Sequence, residues 1–209
     1  MENEEAKALQ EVAKFGTKAL ESGDKLGGFL SKVFGTVPSD VVGVIGGDWL
    51  HHIRIRNVAK LAQRNEEILR DRGIWGQTEP MSPSVALPLL HAAQDETREE
   101  LREMWARMIA NGMDPKNASV RQSIIATVKG FDPLDAVILQ MTFHRSLNTT
   151  GAYFKDSQEE LGVSSDEFEL SFLNLQKLGC IIDLQPISQG GMFASLSPLG
   201  REVIRACSL

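Results

Sequence analysis

Hydrophobic positions recur at helical spacing through the first two thirds of the chain. The clearest pattern places five apolar side chains on one face: Leu101, Met104, Trp105, Met108 and Ile109. The opposite face carries glutamate and arginine, so the pattern predicts a helix with one buried side, which ends at Asn111 and Gly112. Trp105 and Leu101 share this face, and we expect both to anchor the core.

Further helices are predicted on both sides of this one. No Gly or Pro interrupts the segment from Asp48 to Arg72, and five positions in it follow steps of three and four residues: Ile55, Val58, Ala62, Asn65 and Leu69. Gly73 is the expected C-cap of this helix. A shorter helix is predicted over Val85–Ala93, limited or kinked by Pro88. Another carries Val120, Ile124, Ile125 and Val128, with Asn117 or Ser119 as its cap and Gly130 at its end.

The last third of the chain follows a different pattern. A helix through Leu134 and Met141 precedes a capping box at residues 157–160, and a third helix begins at Ser164 or Ser165. Two short strands, Cys180–Ile187 and Met192–Leu196, are joined by a Gly-rich turn, and a final helix runs from Pro198 to Cys207. Three helices, a β-ribbon and a closing helix are typical of a winged-helix domain.

The predicted fold class is therefore mainly α, with an N-terminal helical bundle followed by a winged-helix-like α+β domain. We divide the chain into residues 1–47 (amphipathic helices and a Gly-rich segment), 48–132 (a helical domain) and 133–209 (the winged-helix-like domain).

The first 47 residues leave two interpretations open. One amphipathic helix is predicted from Glu4 to Glu21, and a second carries an apolar face at steps of three and four: Leu26, Phe29, Leu30, Val33 and Phe34. This face either closes the helical bundle or binds a partner groove or a membrane interface. The segment Gly35–Gly47 is interrupted by Pro38 and Asp40, and the apolar stretch is too short for a transmembrane helix.

Composition and charge limit the partners and the cellular compartment that we expect for this protein. The formal net charge of −6 argues against general attraction to nucleic acid or anionic lipid. Two cysteines, Cys180 and Cys207, are too few for a secreted disulfide framework and suit a reducing cytosol. The acidic start over residues 1–5 lacks the basic residues of a secretory signal, so we expect no targeting segment.

No catalytic, cofactor or metal motif is found. The neighbouring His51 and His52 diverge on a helix, whereas His91 and His144 are isolated. The cluster of Glu99, Glu100 and Glu103 lies opposite an apolar face with Arg102 and Arg107 as available partners, and we interpret it as a solvated helix face. We therefore expect no enzyme activity, no cofactor and no metal.

Basic residues give the long helix a distinct character: Arg54, Arg56, Lys60 and Arg64 form a candidate contact surface. The surrounding acidic residues leave residues 48–79 with a net charge of only +1, so mixed surface charge is the competing interpretation.

The winged-helix pattern invites a DNA-binding hypothesis. However, the third helix opens with Asp166, Glu167 and Glu169, and residues 133–209 contain nine acidic and five basic residues. Because acidic side chains repel phosphates, we expect no binding to duplex DNA.

Five sequence segments together resemble a known bacterial family. They are the segments 47–50, 65–74, 101–111 with Asp114 and Pro115, 175–181 and 196–201. In combination they resemble the abortive infection alpha family over roughly residues 47–206. The resemblance implies a role in defence against phage and supplies no catalytic residues.

Our leading hypothesis is a non-enzymatic anti-phage protein whose N-terminal helices act on a membrane or a partner. We expect it to be cytoplasmic, with peripheral contact at the inner membrane through those helices, and to bind a protein partner or itself. The alternative is a cytosolic protein-interaction or regulatory module with a winged-helix domain.

Overall fold

The protein is mainly helical and carries one small antiparallel sheet. A computed structural model describes residues 27–35, 49–116, 120–147, 151–154, 157–187 and 191–207, with only the backbone for residues 49–52. The helices of this region are α1 (27–34), α2 (Trp49–Asp71), α3 (Pro83–Gln94), α4 (Glu99–Met113), α5 (Gln122–Val128), α6 (Pro133–Arg145), α7 (Ser157–Leu161), α8 (Ser165–Lys177) and α9 (Pro198–Cys207). The strands are β1 (Ala152–Phe154), β2 (Ile181–Ile187) and β3 (Gly191–Leu196).

The two longest described helices, α2 and α4, pack against each other. In α2, Val58, Leu61 and Leu69 are fully buried, and they face α4, which is buried along Leu101, Trp105 and its neighbours. The predicted apolar faces are thus confirmed. Helix α2 ends as expected, because Gly73 adopts a φ of 69° and its N–H donates to the carbonyl of Arg70 at 2.9 Å.

The predicted limits of α3 and α4 agree with the structure to within two residues, whereas the predicted start of α5 is wrong. Helix α3 continues through Pro88 to Gln94, and the residues that follow the proline, Leu89 and Leu90, are buried in the core. Helix α4 includes Asn111 and Gly112 and ends at Met113. Helix α5 begins only at Gln122, with Arg121 at its N-cap and Val120 before it, so the start predicted from a cap at Asn117 or Ser119, which lie outside the described residues, is wrong.

The C-terminal region contains a strand that the sequence pattern did not reveal. Strand β1 pairs with β3, and β3 pairs with the predicted β2, giving the antiparallel order β1-β3-β2. Phe154 of β1 is fully buried, with its ring centroid 4.9 Å from that of Phe172 in α8. The short helix at residues 157–161, the Ser164 cap of α8 and helix α9 are confirmed.

Helix α9 joins the two regions of the chain. It packs against α4, α5 and α6, and the side-chain amide of Asn111 donates to the carbonyl of Ala206 at 2.7 Å. Buried apolar residues from α1 to α9 form one continuous core in the described residues. The division at residues 132 and 133 stays a prediction.

Candidate functional site

The apolar face that we singled out in the N-terminal region is buried. Phe29, Leu30, Val33 and Phe34 of α1 are 5%, 4%, 1% and 8% exposed, and we call these four residues the α1 face. Leu26 and the predicted helix over residues 4–21 lie outside the described residues. Burial of the α1 face is what the bundle interpretation expects. Its role as a partner or membrane surface requires α1 to leave this position, and that role stays a prediction.

Two polar contacts hold α1 against the loop that follows α2. The backbone N–H of Met81 donates to the carbonyl of Val33 at 3.0 Å. The ammonium of Lys32 lies 3.2 Å from the centroid of the Trp75 ring, a cation–π contact. Burial lowers the pKa of Lys32, and the nearby carboxylate of Glu66 partly opposes this effect. The Lys32 side chain thus connects α1 to the aromatic surface of Trp75 in the loop after α2.

A groove of about 440 Å³ lies beside this contact, between α1 and α2. Its floor includes Phe29 and Trp75, and Arg56 and Lys60 of the predicted basic surface line it. Both of these basic residues are exposed. The structure thus places half of the predicted basic surface next to α1.

The other two members of the basic surface are engaged in ion pairs. Arg54 makes a bidentate pair with Asp95, with nitrogen–oxygen distances of 2.6 and 3.1 Å. Arg64 pairs in the same manner with Glu103, at 2.6 and 2.8 Å, and also contacts Glu67. Bidentate geometry fixes a guanidinium, so these two arginines serve first to join α2 to the following helices.

Glu103 is the centre of a small charged cluster. It accepts hydrogen bonds from Arg64 and from Arg107, the latter at 2.7 Å, so Arg107 is the partner that the sequence predicted. Hydrogen bonding by Arg64 holds the pKa of Glu103 below its usual value; partial burial opposes this shift and the charge of Arg107 adds to it. Glu99 and Glu100 are exposed, as expected for a solvated face, whereas Glu103 is only 31% exposed.

We expect Glu103→Gln to lower the free energy of unfolding by about 1 kcal/mol at neutral pH, because the pair is half exposed. A carboxylate whose pKa is lowered by folding stabilises the protein above its unfolded pKa, and that stabilisation is lost as the pH falls through the folded pKa. The difference between wild type and variant should therefore shrink from roughly pH 7 to pH 3, as measured by urea unfolding. Glu99→Gln, on the exposed side of α4, is the control and should show little difference. A Glu103→Gln effect of constant size across this pH range would contradict the assignment.

Among the residues whose side chains the structure describes, the groups considered for catalysis do not form a metal-binding cluster; the side chains of His51 and His52 lie outside these residues. His91 and His144 are exposed, and no group of His, Cys, Asp and Glu in the described residues has a geometry that could hold a metal ion. Cys180 and Cys207 are buried and unpaired with each other as a disulfide. Burial raises the pKa of Cys180 to about 12 and also raises that of Cys207, so the reactive thiolate is disfavoured at both.

Buried asparagines were missed by the sequence reasoning. Asn57 and Asn65 of α2 are 3% and 0% exposed and donate to the carbonyls of Gln94 and Ala106 at 2.9 and 3.2 Å. Asn111 receives a hydrogen bond from Arg72 at 2.6 Å while it donates to Ala206. The signal was present in Asn65, which occupies a position in the apolar spacing of α2. A polar residue at such a position indicates a hydrogen bond across a helix interface.

The fold is thus a mainly helical body with a three-stranded sheet, and among its described helices none combines the length and the apolar composition that crossing a bilayer requires. The family model for abortive infection alpha matches residues 54–207, which span α2 from Arg54 to the end of α9. The chain belongs to this family, which suggests a role in abortive infection. Comparisons with curated proteins and with solved structures found no match.

Proposed function

We propose that this protein is a non-enzymatic abortive infection protein in which α1 is the acting element. The helical body and the C-terminal region sense a partner, and α1 then binds a membrane or a protein target through its apolar face. The observation that carries the proposal is the α1 face itself: four large apolar side chains on a helix of eight described residues, covered by the rest of the protein. The family match begins at Arg54, after this helix.

Release of α1 breaks few polar contacts, and its main cost is exposure of the four buried side chains of the α1 face, about 1.5–3 kcal/mol for each, which binding to the membrane or partner must offset. Its polar attachments include one backbone hydrogen bond to Met81 and the contact between Lys32 and Trp75. Once free, the helix would present an apolar face with Lys25 and Lys32 as basic flanks. Interfacial helices bind through buried apolar area and attraction to anionic lipids, so two lysines support modest affinity. Under this proposal the protein is cytoplasmic and contacts the membrane peripherally through α1.

The C-terminal region supports the sensing role. Its order of helix, strand, two helices, hairpin and helix, with β1 paired to β3, supports our proposal that this region is a winged-helix-like domain. The exposed start of α8 carries Asp166 and Glu167, and duplex DNA is therefore a poor partner for it. The same arrangement favours the second candidate, a cytosolic interaction or regulatory module that needs no membrane contact.

The central experiment compares a variant that destroys the α1 face with a variant that weakens the attachment of α1 to the rest of the protein. Phe29→Asp with Phe34→Asp destroys the α1 face, so we expect toxicity and phage protection to be lost while the remaining protein still melts cooperatively. Trp75→Ala leaves α1 unchanged but removes the aromatic surface under Lys32, so protection or toxicity should be kept or increased. Both are measured by growth, membrane potential and phage plating, beside the full chain and a chain without residues 1–47.

A leakage assay with vesicles containing phosphatidylglycerol distinguishes a membrane target of α1 from a protein target. Leakage by the full chain, lost in the double variant, supports the membrane; protection without leakage supports a protein target. Full protection by the double variant would show that the α1 face is dispensable. Complete unfolding of that variant would show that the face belongs to the permanent core, and the proposal would fail in either case.

A further inference from the structure

Helix α8 has an inner face that is firmly fixed. Phe168, Phe172 and Leu175 are at most 2% exposed and pack against the sheet and the neighbouring helices. Next to this face, Ser171 and, on the flank of the helix, Asn174 donate hydrogen bonds to the carboxylate of Asp135 in α6, the latter at 2.7 Å. These contacts set the rotation of α8 about its axis. The opposite side is therefore held in one orientation towards solvent.

That outer side carries an ordered stripe of four exposed residues: Asp166, Leu170, Leu173 and Lys177. They follow one another at steps of four, three and four residues, which places them on one line along a helix. Leu170 is 66% exposed and Leu173 is 48% exposed, although the core offers buried positions elsewhere on the same helix. We call this set the α8 stripe.

The α8 stripe is complementary to itself. Its two leucines lie symmetrically about the middle of the helix, and the acidic and basic ends lie symmetrically outside them. When a second α8 is laid against it in the antiparallel direction, Leu170 meets the partner's Leu173 and Asp166 meets the partner's Lys177. A parallel arrangement would instead oppose like charges at both ends, which is unfavourable.

We propose that the α8 stripe is a homodimer interface, in which two copies of the chain pack α8 against α8 about a two-fold axis. Such an axis uses the same surface on both copies, and this surface meets that requirement in its apolar and its charged positions. A pair of helices alone covers less than the roughly 800 Å² per partner of a standard interface, so the dimer is weak and reversible, in the micromolar range. This proposal is independent of the one for α1.

Charge exchange tests the proposed geometry in the full-length protein. By sedimentation velocity, Asp166→Lys alone and Lys177→Asp alone should each weaken dimerisation at least about tenfold, because each makes both ends of the stripe alike in charge. An equimolar mixture of these two variants should dimerise again, since every contact then joins opposite charges. A chain carrying both substitutions should also regain the wild-type dimer. Only an antiparallel α8 pair predicts all three results.

The apolar part of the interface is tested with a matched pair of leucines. Leu170→Glu should abolish the dimer, whereas Leu147→Glu, at a site 61% exposed outside α8, should leave it unchanged. Circular dichroism and melting temperature confirm that each variant is folded; if Leu170→Glu does not fold, Leu173→Glu replaces it. The proposal is overturned if the wild-type chain stays monomeric up to about 0.3 mM. It is equally overturned if the equimolar mixture of Asp166→Lys and Lys177→Asp does not associate. It is also overturned if Leu170→Glu and Leu147→Glu have the same effect on the dimer.

Discussion

Trp105→Ala should lower the free energy of unfolding by about 3–5 kcal/mol, the range for truncation of a large aromatic side chain in a core. Trp105 is 2% exposed and lies in the middle of the buried side of α4, the helix that packs against α2 and α9. Its removal leaves a cavity between elements that are held by other contacts and cannot simply collapse into it. Urea or thermal unfolding at neutral pH measures the loss.

Two further variants make this result specific. The indole N–H of Trp105 has no hydrogen-bond partner among the described residues, so Trp105→Phe loses packing volume but no hydrogen bond and should cost less than half as much as Trp105→Ala. Leu147→Ala removes an apolar side chain that is 61% exposed and should change stability by about 0.5 kcal/mol or less. A Trp105→Ala variant as stable as wild type would show that Trp105 is not a core anchor.

Gly200→Ala should destabilise the protein by about 2–4 kcal/mol through overpacking. A Cβ atom at position 200 would lie 2.0 Å from the carbonyl oxygen of Cys180 and 2.9 Å from its carbonyl carbon. The obstacle is backbone that also accepts the N–H of Ser197 at 3.0 Å, so it cannot turn aside as a side chain can. Helix α9 must therefore move away from the start of β2.

Gly76→Ala is the matched control for this effect. Nothing lies within 4 Å of a Cβ at position 76, and its backbone does not have the positive φ that favours glycine. The same chemical change should there be neutral or slightly stabilising, because alanine restricts the unfolded chain. Equal melting temperatures for both variants would contradict the close approach of α9 to Cys180.

Local patterns predicted the elements that depend on local physics. The apolar faces of α2 and α4 follow from helical spacing. The start of α8 was predicted at Ser164 or Ser165, and the structure places the cap at Ser164, which exchanges hydrogen bonds with Glu167 three positions on. The β2–β3 hairpin was also recognisable, since two alternating runs flank a short Gly-rich turn.

Elements that depend on distant residues were not predictable in this way. Strand β1 has only three residues, too few for a periodicity, and it exists because β3 offers it an edge. Arg64 and Glu103 are 39 positions apart, and nothing in either segment identifies the other as its partner.

Helical spacing alone placed Phe29, Leu30, Val33 and Phe34 on one apolar face, and the same spacing is compatible with Leu170 and Leu173 lying together on α8, although the pattern did not single them out. It did not determine which of these faces the folded chain covers. The tertiary structure decided that the first is buried and the second is exposed. The physical reason is that amphipathicity is a property of a single helix, whereas burial depends on the surface that the rest of the chain places against it.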